Sequence, residues 1–141
     1  MRYAQVFKKS YFLIALIALI VTGTYQIIKF SPLEQSIIKK VRVNNLANLY
    51  ITEASAGATT NFSYRYYVFD ASRSDADFQE SVKGDNKKPF LITDDKNASV
   101  EVKENCIYLK IRGRIYSYIS PASYRNKTGI FSVPICMESS P

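Results

Sequence analysis

The chain has 141 residues and a mass of 16.0 kDa, with 19 Lys plus Arg, 12 Asp plus Glu, and neither His nor Trp. That length suits one domain of ordinary size. With 47% apolar and 22% charged residues the composition is neither that of a disordered tail nor collagen-like, and the lack of His removes a His-based triad and any His metal site.

The first element in chain order is an apolar segment. No residue from Tyr11 to Ile28 is charged, and Phe12 to Val21 is continuously apolar. As a helix, 11–28 would rise roughly 27 Å, close to the ~30 Å hydrocarbon core of a bilayer. Arg2, Lys8 and Lys9 precede it and no acid appears before Glu34, which predicts residues 1–10 in the cytoplasm, a transmembrane anchor over 11–28, and the rest on the far side. A cleaved leader ending at Gly23 is the competing reading. Either way the following domain is expected to be exported. Outside the segment, with Arg2, Lys8, Lys9 and Lys29 set aside, fifteen cations face twelve acids, so the pI of 9.4 owes much to topology signals and does not imply nucleic acid.

Residues 29–45 read as a juxtamembrane linker. Ser31-Pro32-Leu33-Glu34 is a capping-box pattern with Pro at the first helical position, predicting a short helix over about 32–40. From residue 46 to 141 the chain reads as a β-domain: a small antiparallel sheet or sandwich of five to seven strands. Candidate strands are 47–54, 62–69 and 89–93. Ser55 to Thr60 reads as a hairpin loop, and the polar stretch 70–88 as an exposed loop with a turn of helix at most. Between Ala98 and Ile119 the alternation is clearest. Glu104-Asn105 supplies a two-residue turn that sets Val102 opposite Ile107 and Val100 opposite Leu109.

The second arm is expected as one long strand bent at Gly113. Its inward row is Ile107, Leu109, Ile111, Gly113, Ile115, Ser117 and Ile119. Its outward row is Tyr108, Lys110, Arg112, Arg114, Tyr116 and Tyr118. A loop after Pro121 and a last strand over 130–136 complete the domain. Cys106 and Cys136, both in the exported part, are expected to form one disulfide.

Catalytic patterns are poor. The sequence lacks a P-loop, a dinucleotide fingerprint, a GxSxG elbow and an HExxH helix. Ser36 to Lys39 matches a Ser-x-x-Lys spacing by chance, and Asp75/Asp77 and Asp94/Asp95 read as solvated turns. No enzyme activity, metal or cofactor is therefore expected. Tyrosine is the surplus, with 11 copies. Tyr64, Tyr66 and Tyr67 cluster around Arg65, and the outward row 108–118 interleaves Tyr with Lys and Arg, the types that carry binding energy in protein interfaces. Five cations and no acid lie between Glu104 and Glu138, a stretch that would attract an acidic cleft. The candidate partner-binding residues are Tyr108, Lys110, Arg112, Arg114, Tyr116 and Tyr118, with the Gly57–Asn61 loop second.

The basic start Met1-Arg-Tyr-Ala-Gln-Val-Phe-Lys-Lys9 with its apolar run, the length and the two-Cys exported domain together resemble the pesticin-type bacteriocin immunity proteins. Gly57 to Arg65 is also similar to a segment of small membrane-anchored bacterial proteins. The resemblance implies a protein held at the inner membrane, its domain in the periplasm, that binds and inhibits a lysozyme-like muramidase toxin and so protects the producing cell. The alternatives from other classes are a structural or assembly protein of the cell envelope and a peptidoglycan-binding module without a toxin partner.

Overall fold

The computed structural model describes residues 3–29, 34–55, 61–83 and 86–140. The chain divides into two compact units, Met1–Pro32 and Leu33–Pro141. The first holds helix α1 (Tyr3–Lys29). Among the described residues no helix is long and apolar enough to cross a membrane; the anchor expected over 11–28 runs past residue 25, beyond which the side chains of α1 lie outside the described residues.

The second unit is mainly β. Its elements in order are β1 (Glu34–Arg42), β2 (Ala47–Ser55), β3 (Ser63–Asp70), α2 (Asp75–Lys83), β4 (Leu91–Thr93), β5 (Ser99–Lys103), β6 (Cys106–Arg112), β7 (Ile115–Tyr118), β8 (Ala122–Asn126), β9 (Gly129–Val133) and β10 (Ile135–Ser140). They form a five-stranded sheet in the order β1-β2-β3-β4-β7, a three-stranded sheet β10-β6-β5, and a β8-β9 hairpin. Pairing is antiparallel except between β6 and β10, which run parallel.

Several expectations change. The helix expected over 32–40 is strand β1, paired with β2 from Glu34↔Ser55 to Arg42↔Asn48 with one bulge between Ile37 and Lys39. Ladder pairing and β-branched Ile37, Ile38 and Val41 outweigh the helix-start signal. The polar stretch 70–88 contains the two-and-a-half-turn α2. Ser74 caps it: the Asp77 amide donates to Ser74 Oγ at 3.2 Å, and the Ser74 amide and hydroxyl donate to Asp77 Oδ2 at 2.9 and 2.8 Å. These bonds hold the Asp77 carboxyl below its ordinary pKa. The expected loop after Pro121 is strand β8, and the last strand divides at Pro134 into β9 and β10.

The Glu104-Asn105 hairpin forms in the expected register, Val102↔Ile107 and Val100↔Leu109. Both turn residues have positive φ, 50° and 66°, as a two-residue turn of this hand requires. The Asn44 side-chain amide donates to Asn105 Oδ1 and ties this turn to the β1–β2 connection.

The five-stranded sheet is covered on both faces. One face packs Leu49, Ile51, Tyr66, Val68 and Leu91 against Ile107, Leu109 and Ile111 of the three-stranded sheet and Tyr124 and Val133 of the hairpin. The opposite face packs Tyr50, Tyr67 and Phe69 against Phe78 and Val82 of α2. Phe78 stacks on Tyr50 with ring centroids 4.1 Å apart and meets Tyr67 and Phe69 edge-on.

Candidate partner-binding face

Alternation along β6 sends Ile107, Leu109 and Ile111 into the core and leaves Tyr108, Lys110 and Arg112 outside. β6 is the middle strand of its sheet, so each outward residue has neighbours on both sides. Tyr108 lies between Glu101 and Cys136, and Lys110 between Ser99 and Glu138. Tyr108, Lys110, Cys136 and Glu138 line a shallow groove of about 250 Å³.

The expected long strand does not exist. At Gly113 the chain leaves the three-stranded sheet, and β7 joins the five-stranded sheet as its terminal strand. The cause is the turn after β4. The Arg112 amide donates to Asp95 Oδ2 at 2.6 Å, the Arg114 amide donates to Asp94 Oδ1 at 2.8 Å, and the Arg114 carbonyl accepts from the Asp94 amide and the Thr93 hydroxyl. The corner is a glycine for two reasons. Its φ is +150°, and a Cβ there would lie 2.6 Å from Asp94 Oδ1. Asp94 and Asp95, expected as solvated, thus hold this corner, and Asp95 is buried.

The outward row survives the break but is split between two sheets. Tyr108, Lys110 and Arg112 lie on one arm, Tyr116 and Tyr118 on the other, and Arg114 at the corner; all six are exposed. The Tyr116 hydroxyl donates to Asp94 Oδ2 at 3.4 Å. Tyr64↔Thr93 and Thr93↔Ile115 are in register, which sets the start of β3 and the start of β7 at the same end of the sheet. Asn61, exposed and two residues before β3, therefore lies at the end where the corner is. Gly57 lies outside the described residues.

The electrostatics differ from the linear count. The run with five cations and no acid acquires an acid from a neighbouring strand at one of them: Lys110 pairs with Glu138 at 3.2 Å, while just before the run Lys103 pairs with Glu101 of its own strand at 2.8 Å. Both pairs are exposed and contribute little stability, at most about 1 kcal/mol, yet each cancels a cation of the face. Among the described residues the Arg112 and Arg114 guanidinium groups form no ion pair. The pairing of Lys110 with Glu138 was not legible in the sequence, because strand order decides which acid meets which base.

The second tyrosine cluster moves in the opposite sense. Tyr64, Tyr66 and Tyr67 are buried at 4%, 2% and 1% exposure and belong to the core. Burial pushes the Tyr66 hydroxyl up to about 12 and also raises Tyr67, whose hydroxyl donates to Gln35 Oε1 at 2.9 Å. Tyr50 donates to Asp75 at 2.7 Å, and Lys40 binds the same carboxylate at 2.6 Å while lying over the Tyr50 ring. Asp75, expected in a solvated turn, is thereby tied to β1 and β2.

Cys106 and Cys136, the pair expected to form a disulfide, meet across β6 and β10 with Sγ atoms 2.8 Å apart. Burial, with the hydrogen-bonded Cys136 beside it, pushes the Cys106 thiol up to about 11. Among the described residues no group of three or more His, Cys, Asp or Glu could hold a metal ion. Ser36 and Lys39 both lie on β1, whose ladder sets Ser36 opposite Glu53 and Lys39 opposite Ile51. The arrangement offers exposed aromatic and guanidinium groups on the arms of two sheets. Comparison of the chain with protein-family models, with curated proteins and with solved structures returned no match.

Proposed function

We propose that this chain is a bacteriocin immunity protein of the pesticin type. It acts by binding and not by catalysis: the domain occupies the periplasm and covers the substrate cleft of a lysozyme-like muramidase toxin. The N-terminal apolar segment directs export and holds the protein at the inner membrane. Two observations on the molecule support the reading. The positive N-terminal flank precedes the chain's longest uncharged stretch, and exposed Tyr108, Tyr116 and Tyr118 lie on the same two arms as Arg112 and Arg114, which form no ion pair among the described residues. The second carries most of the argument, because rigid aromatics beside Arg are what interfaces use for affinity. In the oxidising periplasm Cys106 and Cys136 would close into the disulfide, tying the C-terminal strand to β6.

The test is protection. Sensitive bacteria expressing the full chain, challenged with a muramidase bacteriocin, should survive, and the purified protein should bind that toxin in a pull-down. Killing at the rate of control cells, with no binding, would overturn the proposal. Direct binding to isolated peptidoglycan without any toxin would favour an envelope protein instead.

A further inference from the structure

We infer that the outer edge of β9 is a self-association surface, on which a second copy of this chain adds its own β9, antiparallel, about a two-fold axis at Phe131. The inference goes beyond the immunity reading and does not rest on it. Its first ground is that β9 is an open edge. It pairs with β8 and with no other described strand, and among the described residues no backbone–backbone bond outside that ladder reaches 129–133. In an antiparallel pair alternate residues turn their amide and carbonyl groups away from the neighbouring strand, so the free side of β9 carries a row of unmade backbone bonds. Gly129, Ile130, Phe131 and Ser132 are all exposed. At 68%, Ile130 is the most exposed large apolar side chain described in the β-unit.

The second ground is that β9 lacks what guards the other edges. Open edges are ordinarily protected by charges, bulges or prolines. β1 carries Lys39, Lys40, Arg42 and a bulge, β5 carries Glu101 and Lys103, β8 carries Arg125, and β10 carries Glu138. β7 follows Arg114 and pairs with β4 through a bulge. From Thr128 to Met137, in contrast, no residue is charged.

The third ground selects the occupant. With the two Phe131 residues opposite each other, Ile130 faces Ser132 and Gly129 faces Val133, so two uncharged strands meet without repulsion. The axis sends the two hairpin tips, each with its Lys127, to opposite ends of a β8-β9-β9-β8 sheet. It also sets the two Arg125 residues three strand spacings apart, about 14 Å, beyond the ~8 Å screening length. A charged strand from another protein is the poorer occupant, because its charges lose water against Ile130 and Phe131 and gain no counter-charge. Tyr124 stacks on Phe131 with ring centroids 5.8 Å apart. The ring that meets its copy is therefore already ordered, which lowers the cost of pairing.

The experiment is sedimentation equilibrium of the full chain in detergent micelles. A five-residue edge buries less than a standard interface, so monomer is expected at about 1 μM and dimer at about 100 μM. Ile130→Lys/Ser132→Lys sets Lys against Lys at both pairs beside the axis and should raise the dimer Kd about 30-fold or more. Ile130→Lys/Ser132→Glu sets Lys against Glu in the same register and should stay within about threefold of the wild type. Both positions are exposed, so the variants keep the fold, which a thermal melt verifies. Lys83→Ala on α2 should leave the Kd unchanged. A wild type that is monomeric at about 100 μM, or a dimer that the two charge variants weaken equally or not at all, would overturn the inference. So would a monomer whose 129–133 amides become protected from hydrogen exchange only when a muramidase bacteriocin is added, since that assigns the edge to another protein. Protection of sensitive cells is read separately, so the immunity reading and this one fail independently.

Discussion

Tyrosine does two opposite jobs in this protein. Under α2, Tyr50 and Tyr67 are fully enclosed, their rings packed on Phe78 and their hydroxyls spent on Asp75 and Gln35. On the outer arms, Tyr108, Tyr116 and Tyr118 are 41%, 53% and 37% exposed. The difference teaches that side-chain type alone does not mark a candidate binding surface; what separates the two sets is whether the fold has already used the side chain. Polar tips inside the α2 layer are committed, so that layer should respond to mutation through stability. The outer arms should respond through affinity.

The sharpest way to break this comparison is Phe78→Ala. Removing a ring that is 1% exposed and touches three aromatics should cost about 3–5 kcal/mol. The measurement is urea denaturation of the full chain, with Tyr116→Ala alongside and expected within about 0.5 kcal/mol of the wild type. Similar losses for both would erase the distinction between the two layers.

A smaller effect is expected at the corner that joins the arms. Asp95→Ala removes the acceptor of the Arg112 and Asn97 amides and should cost about 1–3 kcal/mol, with faster hydrogen exchange at those two amides than elsewhere in the sheet. Unchanged exchange at Arg112 would mean that the carboxylate does not hold the corner.

The smallest effect concerns the exposed network beside α2. Lys40, first among its partners, and then Tyr50 hold the Asp75 carboxyl below its ordinary value, and Asp75 in turn raises Lys40. A carboxyl depressed in the folded state stabilises above its unfolded pKa, and that contribution fades as pH falls through the folded value. A raised lysine stabilises below its unfolded pKa and loses its contribution as pH rises through the folded one. The network should therefore help most between about pH 4 and pH 10. Comparing melting temperatures across pH, Asp75→Asn should flatten the acid limb slightly. An unaltered profile would show the pair to be an ornament of the surface.

Parts of this architecture could be read directly. The hairpin from Ser99 to Leu109 was legible because its period, its two-residue turn and its apolar pairs all lie within a dozen residues and agree. Helix α2 also had a local signature in Ser74-x-x-Asp77 followed by Phe78 and Val82 one turn apart. The density of Asp, Ser and Lys concealed it, since a helix with one short apolar stripe looks like a loop by composition. Strand β8 hid for a related reason: only Ala122 and Tyr124 face inward, too few to establish a period. At β1 a true local signal pointed to a helix and lost to β2, which offered a ladder eight pairs long. The candidate site was half legible. The outward row of six was correct as a list of exposed residues, but its split between two sheets and the cancellation of Lys110 by Glu138 were not foreseeable.

By itself, then, the sequence determined the mainly β character, the in-and-out alternation on each arm and the apolar N-terminal helix, because each depends on residues a few positions apart. Only the tertiary structure decided that the chain would leave one sheet for another at Gly113, that β10 would return parallel to β6, and that Glu138 would neutralise Lys110, one of the five cations. Those outcomes depend on groups brought together from 17 to 28 positions away, such as Asp95 with Arg112 and Lys110 with Glu138. Pairing over such separations is chosen by the burial of the whole core, which no local window of sequence contains.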